Sequence, residues 1–358
     1  TDSEVIAQLI DQNMAEGMDA VDAFEAALKN LSGAFAIAAI FSGKTDLLMG
    51  ARKGSPLVLG YGQGEMFLGS DAIALAPLTR DVTYLEEGDW VVLTPTSHDV
   101  RNANGDRVNR PRVKSAVNEG LIERGEYDHF MLKEIHEQPE SLARSILPYI
   151  DQATQTLNLG DVADTMFAKA DRAVAIACGT AYYAAHTAKY WFEQKAKLAF
   201  ETDIASEFRY REPVLPQTGP AMFVSQSGET ADTLAALRYC RQNGTPAVAV
   251  VNVPESSIAR EAAAIVPTYA GPEIGVASTK AFTAQLSVLA VLALNAAKAR
   301  GHLLPGDEVM AVKSLMALPR KVTEALEAQD DIREIAKTLA PCRDVLFLGR
   351  GRYYPLAL

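Results

Sequence analysis

Cysteine is scarce and scattered: Cys178, Cys240 and Cys342 are the only three in 358 residues, and no two of them share a C-x-x-C spacing. That spacing pattern supports neither a zinc ribbon nor a redox pair. An odd, sparse count fits a reducing compartment, so a cytoplasmic location is expected. The five histidines, His98, His129, His136, His186 and His302, form no H-E-x-x-H or comparable ligand set, and no metal site is expected. Nor is a cofactor motif legible. No long basic run occurs, and 34 Lys and Arg against 45 Asp and Glu leave a net charge of −11. Such a balance argues against nucleic acid or an anionic membrane as the main partner. Long hydrophobic runs are missing as well. The most apolar stretch, Leu286 to Ala297, is too short and Ala-rich to span a bilayer and reads as a buried core helix.

What is present suffices for several cores. With 48% hydrophobic residues over this length, two to three domains are expected. Residues 3–15 and 20–31 carry apolar side chains at helical spacing. Then the period shortens. Ala34–Phe41, Asp46–Ala51, Leu57–Tyr61, Glu65–Gly69, Val82–Leu85 and Asp89–Thr94 are strand candidates divided by Gly, Pro and Asp turns, an α+β arrangement. Gly60-Tyr61-Gly62-Gln63-Gly64-Glu65 superficially evokes a nucleotide loop, but no helix follows it, and a hairpin turn is expected. Residues 96–130 are polar and charge-rich, with no sustained period, and read as an ordered linker or a terminal hairpin. Tyr127 to Leu147 reads as helical, with Pro139 breaking it or opening a new turn.

From Ala173 strands alternate with helices. Ala173–Ala177, Ala221–Val224, Ala247–Val251 and Ile265–Tyr269 are the strands. Helices are expected from Tyr182 to Ala199, up to Asn243, over Ser256 to Ala264, and from about Lys280 to Arg300. This rhythm means a doubly wound parallel sheet of the α/β class, with ligands at the carboxyl ends of its strands. Three polar turns belong on that rim: Gly179-Thr180, Ser225 to Thr230, and Val276 to Lys280. Residues 305–340 are helical and charged. Val345 to Gly351 repeats the first strand-plus-glycine signal and suggests the first strand of a second copy.

The most informative stretch is Ala221-Met222-Phe223-Val224-Ser225-Gln226-Ser227-Gly228-Glu229-Thr230. A buried strand stops on three hydroxyls and hands over to a helix N-terminus, which offers free N–H groups and a positive dipole end. Such a place suits a phosphate. Gly228 permits close backbone approach. No Lys follows it, so this is not the Walker loop, and a sugar phosphate fits better than a nucleotide. Helix capping alone needs one hydroxyl, not three.

These residues, together with Ala177-Cys178-Gly179-Thr180, Glu207-Phe208-Arg209-Tyr210, Glu273 to Thr283, Tyr127 to Pro139 and Gly349-Arg350-Gly351, closely resemble the glutamine–fructose-6-phosphate aminotransferase family, also called glucosamine-6-phosphate synthases. The resemblance spans the whole chain. It implies an N-terminal-nucleophile glutaminase of αββα layers joined to two sugar isomerase (SIS) domains, and the conversion of fructose 6-phosphate and glutamine to glucosamine 6-phosphate by a cytoplasmic enzyme, a homodimer at full length. By that resemblance residues 1–95 are the second half of the glutaminase, 96–163 a linker, 164–303 the first SIS domain, 304–339 connecting helices and 340–358 the start of the second SIS domain.

It also implies that the chain is a fragment, lacking the N-terminal Cys nucleophile and the second-domain acid/base residues, and is inactive on its own. No catalytic residue is therefore assigned. Thr180, Ser225, Gln226, Ser227 and Thr230 resemble the family's sugar-phosphate cradle, and Val276 and Ser278 its contacts to the sugar chain. Asp2 resembles the Asp that holds the glutamine α-amino group; it is also a candidate N-cap for the helix starting near Ser3. Where the family often carries Ser, this chain has Ala181, one hydroxyl fewer. Lys280 invites reading as a Schiff-base lysine, but a first-turn Lys more often faces solvent or pairs with a carboxylate. Two other readings stay open: a sugar-phosphate-binding SIS regulator, and a glutamine-independent deglycase or isomerase. Residues 1–95 together with the Tyr127–Pro139 linker discriminate, since they carry no basic helix-turn-helix and residues 1–95 resemble a glutaminase.

Overall fold

The structure, a computed structural model, describes residues 1–115 and 123–358. The part of the expected 96–163 linker that falls on 116–122 lies outside the described residues. The chain forms two compact units, Thr1–Glu123 and Arg124–Leu358.

The first unit opens with helices α1 (Asp2–Ala15) and α2 (Ala20–Asn30). The Asp19 carboxylate starts α2 by accepting from the N–H groups of Val21 and Asp22 at 2.8 and 3.0 Å. Two antiparallel sheets follow. One has the order β1 (Phe35–Phe41), β2 (Lys44–Lys53), β6 (Trp90–Leu93), β7 (His98–Arg101); the other has β4 (Met66–Gly69), β3 (Val58–Tyr61), β5 (Asp81–Tyr84), β8 (Val113–Lys114). Period-two alternation sorts the side chains. Trp90 and Met49 pack with Phe24 and Ile10 of the helices, whereas Val91 and Leu93 pack with Leu57 and Leu59 of the second sheet. On that sheet's far side, Val58 and Val82 meet Leu75 of a short helix, α3 (Ala72–Leu75). The layers therefore run helix, sheet, sheet, short helix. The glycine loop is the expected hairpin turn, with Tyr61 opposite Met66. The expected boundary at residue 95 does not match the structure. β7 pairs with β6 and β8 with β5, so residues beyond 95 belong to these sheets. Their charged composition hid two strands that need little burial.

The second unit begins with α4 (Phe130–His136) and α5 (Gln138–Ile146), with Pro139 in the first turn of α5, where its missing N–H costs nothing. A small hairpin, β9 (Ile150–Asp151) and β10 (Thr156–Leu157), and α6 (Val162–Met166) lead to the main sheet. Its five strands are β11 (Arg172–Ala177), β12 (Ala199–Ile204), β13 (Ala221–Ser225), β14 (Ala247–Val251) and β15 (Ala264–Pro267), all parallel. The spatial order is β12-β11-β13-β14-β15. The helices between them are α7 (Gly179–Trp191), α8 (Ala205–Arg211), α9 (Ala231–Gln242) and α10 (Ser257–Glu261).

Both faces are covered, as a parallel sheet requires. Ala173, Ala175, Met222, Val224 and Val248 lie in one core with α7; Val174, Ile176, Phe223, Ala249 and Val251 lie in another with α9. The long α11 (Lys280–Ala299) joins the first of these cores. Its length and composition would suffice to cross a membrane, but 72% of its apolar window is buried in the unit. It is the core helix expected there, on grounds of burial rather than shortness. Helices α12 (Pro305–Met316), α13 (Leu318–Leu326) and α14 (Gln329–Leu339) follow, and α15 (Tyr354–Ala357) ends the chain.

Two expectations fail here. The helix read as continuous to Ala199 ends in a π-helical turn over Phe192–Ala196, with Lys197 left-handed at φ 51°, and the chain then forms the edge strand β12 and helix α8. Glu201 and Asp203 masked that strand. No strand forms over Val345–Leu348: all four residues are exposed and unpaired, since an isolated strand has no ladder to join.

Candidate functional site

In the sheet order β12-β11-β13-β14-β15, the connections out of β11 and β13 leave toward opposite faces. Helix α7 packs in one core and α9 in the other. A crevice opens between two such strands at their carboxyl ends. It is present here: a cleft of about 280 Å³ lined by Cys178, Thr180 and Ala181 after β11, by Val224, Ser225, Gln226, Ser227 and Thr230 at the end of β13, and by Glu273, Gly275, Val276, Ser278 and Gln285 from the segment that leads into α11. All seven residues expected to form the sugar-phosphate site (Thr180, Ser225, Gln226, Ser227, Thr230, Val276 and Ser278) thus line one cavity.

The hydroxyl loop is built from inside. Ser225 is buried; its Oγ accepts from the Gly228 N–H at 3.0 Å and shares a hydrogen bond with Thr230 Oγ1 at 3.1 Å. Ser227 is exposed, and its Oγ accepts from the Glu229 N–H at 3.1 Å. Thr230 occupies the N-cap position of α9, yet its side chain does not cap the helix, so the first-turn N–H groups keep no side-chain acceptor. Gly228 has φ +67°, and an added Cβ would lie 1.9 Å from Ser256 Oγ. The close approach that needs a glycine here is thus to Ser256. Around it, the Gly228 carbonyl accepts from the Ile258 N–H at 3.0 Å.

The opposite wall is held by carboxylates. Glu273 Oε1 accepts from the N–H groups of Thr279 and Ala281 at 2.8 and 3.1 Å, and Oε2 from the Ser278 hydroxyl at 3.0 Å. A negative side chain therefore already sits at the N-terminus of α11. Beside α9 the cleft is lined by neutral hydroxyls and an amide, and the first-turn carboxylate of that helix, Asp232, is paired with Arg209 at 2.8 Å. Glu134, 2% exposed, reaches from α4 and accepts from the N–H groups of Ile274 and Gly275 at 2.6 and 3.0 Å. Lys280 is buried and donates to Glu137 Oε2 at 2.5 Å, so it pairs with a carboxylate and does not line the cleft.

Asp2 lies in the first unit, exposed, in the first turn of α1. It is not the cap. Thr1 is the N-cap residue, its side chain accepting from the Glu4 N–H at 3.3 Å, while Asp2 Oδ1 accepts from the Ser3 N–H at 3.0 Å. Sequence reasoning missed Glu273 and Gln285 as site residues. Glu273 stood within a recognised motif but had no partner to give it a role, and Gln285 lies inside an apolar helix. Ala181 lines the cleft, where a serine would add a hydroxyl.

A sugar-isomerase architecture is what this sheet order and cleft define, and the SIS domain family model matches residues 166–295. The whole chain is 52% identical over 358 residues to the glutamine–fructose-6-phosphate aminotransferase [isomerizing] of Bradyrhizobium diazoefficiens, covering 100% of this chain and 59% of that protein. The protein of that name from Caulobacter vibrioides is likewise 52% identical, with the same coverage. Among solved structures, the C-terminal domain of glucosamine-fructose-6-phosphate aminotransferase from Francisella tularensis superposes with a TM-score of 0.63 at 40% identity, covering 66% of each chain. A putative phosphosugar isomerase from Silicibacter pomeroyi shares the fold, with a TM-score of 0.53 at 24% identity, covering 63% of this chain and 65% of that one. The similarity to these glutamine–fructose-6-phosphate aminotransferases runs along the whole of this chain, which spans 59% of the length of the curated relatives it matches.

Proposed function

We propose that residues 164–303 hold the sugar-phosphate site of an enzyme that converts fructose 6-phosphate and glutamine into glucosamine 6-phosphate. The observation that carries this reading is the convergence of Thr180, Ser225, Gln226, Ser227 and Thr230 on one cleft beside the uncapped N-terminus of α9. Hydroxyl, amide and N–H donors there receive a phosphate dianion, and the helix dipole favours its charge. Val276 and Ser278 flank the sugar chain. Within the same reading, the first unit, Thr1–Glu123, belongs to a glutaminase with Asp2 on the glutamine α-amino group, the segment after it up to residue 163 connects, 304–339 are joining helices, and 340–358 lead into a second SIS domain. The working enzyme is a cytoplasmic homodimer that needs no metal or cofactor at this site. A match to aminotransferases that runs over all 358 residues at 52% identity, the first unit included, favours this over a binding-only regulator or a glutamine-independent isomerase.

Calorimetry tests it. Fructose 6-phosphate and glucosamine 6-phosphate should bind, and fructose more than about a hundredfold more weakly, since it forfeits several hydrogen bonds to a charged acceptor worth about 1.5–3 kcal/mol each. Equal affinity for fructose and its phosphate would end the phosphate-cradle reading.

Thiol labelling gives an independent check. Cys342 is exposed and should react with N-ethylmaleimide at once. Cys240 is buried, its thiol pushed up to about 12 by desolvation, and should stay unlabelled in the folded protein. Cys178 lines the cleft, so fructose 6-phosphate should slow its labelling while leaving that of Cys342 unchanged. Labelling of Cys178 at the same rate with and without the sugar phosphate would place the ligand elsewhere.

A further inference from the structure

Helix α11 buries four polar side chains: Lys280, Gln285, Ser287 and Asn295. Three have partners within the protein. Lys280 donates to Glu137, the Ser287 hydroxyl donates to the Thr283 carbonyl at 2.7 Å, and Asn295 Nδ2 donates to the Val291 carbonyl at 3.1 Å. Gln285 differs. It is 2% exposed, its Oε1 is buried with no hydrogen-bond partner among the described residues, and it lines the cleft. A buried amide without a partner costs stability and needs an explanation. On the opposite wall Gln226 Nε2 is in the same condition. The two orphans are of opposite kind, one an acceptor and one a donor.

The cleft is correspondingly two-sided. Its β13 wall offers donors: the hydroxyls of Ser225, Ser227 and Thr230 and the first-turn N–H groups of α9. Its α11 wall offers acceptors, the Glu273 carboxylate and Gln285 Oε1, and the Glu273 oxygens are already engaged by Thr279, Ala281 and Ser278. An acceptor repels phosphate oxygens and attracts a hydroxyl hydrogen. We infer that Gln285 is a specificity-determining residue that accepts a hydrogen bond from a hydroxyl of the sugar chain, at the end of the ligand away from the phosphate. The inference rests on the sugar-phosphate reading of the cleft and adds to it a residue that recognises the polyol rather than the anion. Glu273 holds the wall in shape, and Gln285 supplies its free acceptor.

The test substitutes Gln285→Met, close in volume and without the amide, with Gln285→Ala as a second variant, in the 358-residue chain. Three quantities are measured: the urea midpoint, the affinity for fructose 6-phosphate, and the affinity for inorganic phosphate by competition. Removing a buried amide whose oxygen has no partner among the described residues should leave the urea midpoint of Gln285→Met unchanged or raised. Affinity for fructose 6-phosphate should fall roughly tenfold, the scale of one lost hydrogen bond, while that for inorganic phosphate holds. Unchanged affinity for fructose 6-phosphate in both variants overturns the inference and makes Gln285 a core residue. An equal fall for sugar phosphate and inorganic phosphate also overturns it, because the residue would then act on the anion end. If the unsubstituted chain binds neither ligand, the sugar-phosphate reading itself falls, and this inference with it.

Discussion

Gly228→Ala should cost the second unit about 2–5 kcal/mol, the largest stability loss expected from any single methyl added to the loop. Two effects combine. The residue has φ +67°, where an L side chain costs about 1–2 kcal/mol. The new Cβ would also lie 1.9 Å from Ser256 Oγ and 2.5 Å from Ser256 Cβ, and Ser256 is fully buried, so the loop or its neighbour must shift, at about 1–3 kcal/mol. Against a native stability of about 5–15 kcal/mol this is a large fraction. The contact part can be separated from the backbone part. Ser256 Oγ is buried without a hydrogen-bond partner among the described residues, and the Ser256 side chain does not cap α10, so Ser256→Gly alone should cost little. In the double variant the steric part disappears and only the backbone strain remains, so the urea midpoint should recover by at least about a third. Should Gly228→Ala unfold at the unsubstituted midpoint, or the double variant recover nothing, the close approach is not what fixes this glycine.

The core strands were legible because each is a short apolar run closed by a turn residue. β13 and β14 are fully buried on both faces, which is how a central parallel strand reads in sequence. Edge and pairing strands were not. β12 carries Glu201 and Asp203, β7 holds a single apolar residue, Val100, among His98, Asp99 and Arg101, and β8 is only Val113 and Lys114, because a strand at an edge needs only half its side chains buried. Val345 to Leu348 misled in the other direction: an apolar run has strand propensity, but a strand exists only by pairing. At the site, hydroxyls clustered beside a glycine were visible as a local pattern. Gln285 and Glu134 were not: Glu134 accepts from Ile274 and Gly275, 140 and 141 positions away, Gln285 meets the cleft only through the fold, and no local period marks either. Asp2 was a plausible cap by type, yet the cap is the residue before it. One position decides that, and residue preference alone does not resolve a single position.

Thr230→Ala and Ser227→Ala should each weaken fructose 6-phosphate binding about ten- to hundredfold, one hydrogen bond to a charged acceptor being worth about 1.5–3 kcal/mol. The stability cost should be small, for reasons the geometry supplies. Thr230 occupies the N-cap position of α9 without capping it; its hydroxyl is bonded to Ser225 Oγ, which keeps its other bond, to the Gly228 N–H, when Thr230 is truncated. Ser227 accepts from the Glu229 N–H at an exposed position, where water replaces a lost partner. A hydroxyl that served only as a cap would show the reverse balance, about 1 kcal/mol of lost stability with affinity unchanged. Thr230→Ser keeps the hydroxyl and drops the methyl, and should retain affinity within about threefold, which ties the effect of Thr230→Ala to the oxygen atom. Affinity and urea midpoint measured on the same three variants decide between the roles. A midpoint that falls while affinity holds would make these residues parts of the helix start, and the phosphate would have to be sought at another turn of the rim, where Thr180 is the next hydroxyl.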